Sequence, residues 1–281
     1  MSDYNRPTPW SHHRSSGVAD DIDFEIKGQE LQFVEIELDP GESAVAEAGA
    51  MVWKDASVSM TTVFGDGSGG AGEGFMGKLL GAGKRLVTGE SLFTTVFTHE
   101  GHGKAKVAFA SPTPGGILPL KLSDYGGTLI CQKDSFLAAA KGVSIGVAFQ
   151  RRIMTGLFGG EGFIMQKLDG DGWVFVQMGG TLVQRELAPG EQVHVDTGCI
   201  AAYTAGVDFD LVTAGGVKSV FFGGEGLFFA RLTGPGTIWI QSLPFARLAA
   251  RMLAAAGPRG GQNRGEGSAL GMLGDIIQGN N

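Results

Sequence analysis

Three short stretches of this chain read as copies of one another. Gly89-Glu90-Ser91-Leu92-Phe93, Gly160-Glu161-Gly162-Phe163-Ile164 and Gly224-Glu225-Gly226-Leu227-Phe228 share one pattern. Each is followed by an apolar strand, a glycine turn and a second strand. The turns hold Gly103, Gly172 and Gly236, and the second strands are Lys106-Val107-Ala108-Phe109, Trp173-Val174-Phe175-Val176 and Thr237-Ile238-Trp239-Ile240. Alternating apolar residues around a glycine turn predict a β-hairpin each time. This repetition constrains the fold more than any single motif. A unit of about 65 residues buries only about 60% of its unfolded surface and must hide the rest against its neighbours.

A longer echo supports the same reading. Glu37-Leu38-Asp39-Pro40-Gly41-Glu42 matches Glu186-Leu187-Ala188-Pro189-Gly190-Glu191, and beyond it Glu47 aligns with Asp196, Gly49 with Gly198 and Met51 with Ile200. Pro-Gly between apolar strands is a turn. Strand pairs are also shared upstream of each Gly-Glu motif: Met51-Val52-Trp53 with Val58-Ser59-Met60, Leu137-Ala138-Ala139 with Val143-Ser144-Ile145, and Ile200-Ala201-Ala202 with Val207-Asp208-Phe209. Gly127-Thr128-Leu129-Ile130 and Gly180-Thr181-Leu182-Val183 match as strand starts. The expected organisation is a flexible tail at 1–22, β units at 23–112, 113–176 and 177–242, and a C-terminal helix with a Gly-rich tail at 243–281. The first unit is longer because of a glycine-rich insert at 65–83. Pro244 suits a helix first turn and Gly257-Pro258 its end.

Composition narrows the partners. Glycine accounts for 48 of 281 residues without a Gly-X-Y period, which suits an all-β chain with many tight turns. A net charge of −7 disfavours nucleic acid, whose phosphates call for a basic footprint. Cys131 and Cys199 are far apart, fit no metal spacing and read as small buried residues of a reducing compartment. The N-terminus lacks the apolar core of a secretory signal, and no apolar run reaches the ~18 residues of a membrane span. A cytoplasmic location is the expectation.

Lys84-Arg85-Leu86-Val87-Thr88-Gly89-Glu90-Ser91-Leu92-Phe93, the segment around Gly49 to Trp53, and Ile240-Gln241-Ser242-Leu243-Pro244 together resemble the family of altered-inheritance-of-mitochondria protein 24. The resemblance covers roughly residues 23–253. It implies three short double-stranded β-helix units per chain, like those of the tryptophan RNA-binding attenuation protein, and a homotrimer, hence a nine-unit ring. Eukaryotic members are mitochondrial and linked to inner-membrane organisation. No transit peptide is evident here. The resemblance carries over no catalytic residues, and no motif for tryptophan or RNA contacts is present.

Glu90, Glu161 and Glu225 are one polar position kept in every unit. They read chiefly as carboxylates that satisfy backbone N–H groups at a strand start; a ring of cation-binding carboxylates is the sharper alternative. His99-Glu100-Gly101-His102 resembles a metal pair. Asp169-Gly170-Asp171 and Thr233-Gly234-Pro235 fill the same turn without a ligand, so a solvated loop is expected. His194, in an alternating strand, reads as a surface residue. Gly72-Glu73-Gly74-Phe75-Met76-Gly77-Lys78 is most of a P-loop, but Leu79 stands where the Mg²⁺-binding hydroxyl belongs. The basic apolar stretch with Phe75, Met76, Lys78, Leu79, Leu80, Lys84 and Arg85 is a candidate contact for a membrane surface or a protein partner. Its plainer reading is a cover for a sheet edge. No Gly-X-Ser-X-Gly elbow or other catalytic motif is present.

These features predict an all-β protein with no catalytic residues, no metal and no cofactor. It is expected to act as a non-enzymatic oligomeric scaffold whose main partner is itself. A ring that binds RNA or a small molecule is one alternative. An assembly factor at a membrane surface is another.

Overall fold

A computed structural model of the chain describes residues 19–64, 93–151, 163–213 and 228–256. These residues form four antiparallel sheets and one α-helix. β1 is Asp23–Lys27. Six strands follow: β2 Phe33–Leu38, β3 Ser43–Ala46, β4 Met51–Lys54, β5 Val58–Phe64, β6 Phe93–His99 and β7 Ala105–Ala110. The next six are β8 Gly115–Lys121, β9 Thr128–Gln132, β10 Phe136–Ala140, β11 Ser144–Arg151, β12 Phe163–Asp169 and β13 Trp173–Gly179. The last six are β14 Leu182–Leu187, β15 Gln192–Asp196, β16 Ile200–Thr204, β17 Asp208–Thr213, β18 Phe228–Thr233 and β19 Gly236–Gln241. The helix, α1, is Phe245–Ala256.

Pairing follows one order in each set of six. β2 pairs with β7, β7 with β4, β5 with β6, and β6 with β3. In the second set β8 pairs with β13, β13 with β10, β11 with β12, and β12 with β9. In the third, β14 pairs with β19, β19 with β16, β17 with β18, and β18 with β15. Even the irregularity recurs: the register shifts between Met51 and Trp53, between Phe136 and Ala138, and between Ile200 and Ala202. A bulge of this kind turns the strand and re-aims its side chains.

Two further pairings join the sets. β3 lies beside β10, and β9 beside β16. The result is two six-stranded sheets, β5-β6-β3-β10-β13-β8 and β11-β12-β9-β16-β19-β14, flanked by β1-β2-β7-β4 and β15-β18-β17. Three apolar clusters lie between these sheets. Val34, Ile36 and Leu38 of β2 share one with Ala44, Ala46, Ala138 and Ala140. On the alternate positions of the same strands, Val45 and Ala139 share the next with Cys131, Ala202 and Trp239. Tyr203 and Ile238 share the third with Val195, Ala230 and Leu232. The period-two side-chain alternation thus feeds two cores from one sheet, which is why β3 and β10 are buried at every position.

The Pro-Gly echo has a common geometry. The N–H of Asp39 donates to Glu42 Oε2 at 2.9 Å, and that of Ala188 to Glu191 Oε2 at 2.9 Å. Gly41 and Gly190 take φ of 89° and 77°, the left-handed region that a Cβ disfavours. At the C-terminal end Pro244 precedes α1, and its carbonyl accepts the Arg247 N–H at 3.0 Å. The chain divides into a body ending at Leu248 and a second unit, Ala249–Asn281, whose described part continues α1.

The structure corrects several details. Residues 19–22, expected to belong to a flexible tail, are held in place: Asp20 Oδ2 accepts the Ser43 N–H at 2.8 Å, and Ile22 is buried in a core. The boundary expected at 176/177 falls inside β13. Gly127-Thr128 and Gly180-Thr181 do not open equivalent strands, because β9 pairs with β12 whereas β14 pairs with β19. The hairpins expected around Gly103, Gly172 and Gly236 do not form: β6 and β7, β12 and β13, and β18 and β19 lie in different sheets, as do β4 and β5, because each of these turns carries the chain from one sheet to another.

Candidate functional site

Most residues singled out in the sequence as contact or carboxylate positions lie outside the described residues. These are Glu90, Glu161, Glu225, Phe75, Met76, Lys78, Leu79, Leu80, Lys84 and Arg85.

His99 is described, and it is no solvated loop residue. It ends β6 and is buried. Its Nδ1 accepts the Gly101 N–H at 3.3 Å, and its Nε2 lies 3.1 Å from the Gly103 carbonyl. An accepting Nδ1 places the ring proton on Nε2, which donates to Gly103. Both nitrogens are committed to shaping the turn. His194 is exposed on β15. Among the described residues no group of three or more His, Cys, Asp or Glu side chains is placed to hold a metal ion. Cys131 and Cys199 are free and buried, and burial pushes both thiols up from their ordinary range.

A cavity of about 230 Å³ lies where β9, β13, β19 and the start of α1 converge, with Gln132, Gln177, Gln241 and Phe136 in its walls. Two of its amides reach backbone and the third a side chain. Gln241 Nε2 donates to the Gly198 carbonyl at 3.2 Å, Gln177 Nε2 to the Asp134 carbonyl at 2.8 Å, and Ser135 Oγ to Gln132 Oε1 at 3.3 Å. Arg247 anchors the helix start to Asp196, Nη2 to Oδ2 at 3.2 Å.

The most distinctive surface is a pair of open strand edges. β4 ends the four-stranded sheet and β15 ends the three-stranded one. Their counterparts by pairing order, β10 and β16 for β4, and β3 and β9 for β15, are all covered by another strand. The side chains register the difference. Val52 and Trp53 are 55% and 37% exposed, whereas Leu137 and Ala138, at the matching places after the same bulge, are 1% and 0% exposed, and Ala201 and Ala202 are buried. An edge strand carrying a large apolar side chain is a template for pairing with another chain. Sequence reasoning missed these residues because Met51-Val52-Trp53 shows the same alternation as its buried counterparts. What distinguishes it is that, among the described residues, no strand lies along its outer edge.

Residues 24–243 match the family model described as mitochondrial biogenesis AIM24. An uncharacterized protein of Streptococcus pyogenes serotype M6, M6_Spy0233, is 31% identical over 227 residues, covering 79% of this chain and 86% of that protein. The crystal structure of SPYM3_0169 from Streptococcus pyogenes superposes with a TM-score of 0.65 at 26% identity, covering 83% of this chain and 99% of that one.

Proposed function

The chain belongs to the mitochondrial biogenesis AIM24 family, and from that premise we propose that it is a non-enzymatic scaffold that assembles with copies of itself into a closed homotrimer. One observation carries the reading. The two flanking sheets are complementary parts of the sheet that occurs complete twice. In β5-β6-β3-β10-β13-β8 the first three strands come from one set of six and the last three from the next; β11-β12-β9-β16-β19-β14 is built the same way. β17-β18-β15 supplies the first half of a third such sheet, and β4-β7-β2, with β1 added, supplies the second.

Within one chain the halves sit at opposite ends of the strand order. Between chains they join head to tail, and such a contact closes into a ring when the rotation per copy permits. Three copies of three tandem units, each of the attenuator type, make nine. Closure removes the open edges that otherwise invite aggregation. The buried thiols, the hydrogen-bonded His99 and the cavity amides all serve structure, which supports a scaffold over a catalyst.

Mass measurement in solution tests this, alone and after mixing with liposomes or total RNA. The expected result is three chains, unchanged by RNA. A strict monomer overturns the assembly reading. A mass shift with RNA replaces the scaffold with the binding-ring alternative, and co-sedimentation with liposomes adds the membrane-surface role.

A further inference from the structure

The two complete sheets fix how the open edges meet, residue by residue. Where β3 joins β10, Ala46 lies opposite Ala138, Val45 opposite Ala139 and Ala44 opposite Ala140. Where β9 joins β16, Cys131 lies opposite Ala202, Ile130 opposite Tyr203 and Leu129 opposite Thr204. The bulge identifies Trp53 as the counterpart of Ala138 and Ala202, since these pair with Ala108, Phe175 and Trp239 directly after the shift. On the other side, Ser43, Thr128 and Gln192 open β3, β9 and β15, so Val195 is the counterpart of Ala46 and Cys131.

Resting on the assembly reading above, we infer that β15 of one copy pairs antiparallel with β4 of the next, with Val195 opposite Trp53, His194 opposite Lys54 and Val193 opposite Asp55. The faces agree with this register. Opposed residues of an antiparallel pair point to the same side. Val195 faces the core it shares with Tyr203 and Ile238, so Trp53 is delivered to that same side and loses its exposure. A branched chain opposite an aromatic one is a favourable cross-strand pair.

The seam between copies also differs in chemistry from the two inside the chain. Val45 opposite Ala139 and Ile130 opposite Tyr203 are replaced by His194 opposite Lys54. A polar pair at this position lets the edges recognise each other while they remain tolerable in water before assembly. It also disfavours mispairing of either edge with the apolar strands inside a partly folded chain.

Paired cysteines test the register in the full chain. The double variants Val195→Cys with Trp53→Cys, and His194→Cys with Lys54→Cys, are oxidised mildly and run without reductant. Adjacent pairs alternate between hydrogen-bonded and non-hydrogen-bonded geometry, so one of the two presents the closer Cβ atoms that a disulfide prefers. The expected result is a covalent ladder ending at three chains for at least one matched double variant, and none for the shifted control His194→Cys with Trp53→Cys. Linking of the control in place of the matched pairs, with the three-chain mass retained, overturns the register and leaves the assembly standing. A monomeric mass for the unaltered protein overturns both. Hydrogen exchange on the unaltered protein provides a second measurement. β4 and β15 amides are expected to be as protected as those of β10 and β16, and free exchange in a three-chain assembly overturns the pairing.

Discussion

Gln241 accepts the backbone N–H of Gly179 at 3.0 Å through Oε1 while its Nε2 donates to the Gly198 carbonyl. Gln177 holds the matching place in the preceding set of strands, with Nε2 on the Asp134 carbonyl. Its Oε1, however, is buried without a partner among the described residues. By the strand register, the residue that matches Gly179 there is Pro112, which has no N–H to give. One side-chain clamp is therefore complete and the other half-made.

The two glutamines should accordingly differ in weight. Gln241→Ala leaves the buried Gly179 N–H unpaired and is expected to cost about 1–3 kcal/mol. Gln177→Ala removes a buried oxygen that is already unsatisfied, and the Asp134 carbonyl it releases belongs to an exposed residue. Its cost is expected to stay below about 1 kcal/mol. Urea denaturation midpoints at constant slope check the order of the two.

Trp53 and Ala138 occupy matching places, one on an open edge and one in a covered seam. Trp53→Glu is expected to leave the monomer folded, by circular dichroism, and to abolish the three-chain mass. Ala138→Glu puts an unpaired charge into a filled core and is expected to cost about 3–5 kcal/mol, lowering the thermal midpoint instead.

Glu35 gives a pH signature. Burial opposes its charge, but the ammonium groups of Lys106 at 2.6 Å and Lys27 at 2.9 Å prevail and hold its carboxyl below the usual range. A carboxyl depressed in the folded state binds protons more tightly when unfolded. Its stabilisation is therefore fully present above the unfolded value, near pH 4.3, and is lost as pH falls through the folded value. The fall in denaturation midpoint between about pH 5 and pH 3 is expected to be shallower in Glu35→Gln.

The thiols give a reactivity test. Cys131 is inaccessible and Cys199 nearly so, and burial raises both, so neither forms the thiolate that attacks a disulfide reagent. Ellman's reagent near pH 8 is expected to release colour only after denaturant is added, then to two equivalents per chain. Immediate reaction of either thiol in the native protein would contradict this placement.

What the sequence determined is local. Pro40-Gly41-Glu42 and Pro189-Gly190-Glu191 announced their turns because a left-handed glycine and a carboxylate reaching back to the chain are chemistry within a few residues. The helix after Pro244 was legible for the same reason. Around Gly103, Gly172 and Gly236 the sequence announced two strands and a turn, but not that the two strands go to different sheets instead of pairing as a hairpin. Tertiary structure decided which strands meet. Gly127-Thr128-Leu129 and Gly180-Thr181-Leu182 look alike because each begins with a left-handed glycine, at φ of 81° and 70°, yet they lead into strands with different partners. His99 looks like a loop ligand until the Gly101 N–H and the Gly103 carbonyl close on its ring. Trp53 and Ala138 share one local pattern and differ only in whether a distant strand lies alongside. Strand pairing joins residues far apart in the chain, so local sequence can specify a strand, its faces and its turn, but the pairing itself is settled only when the whole set of cores is filled together.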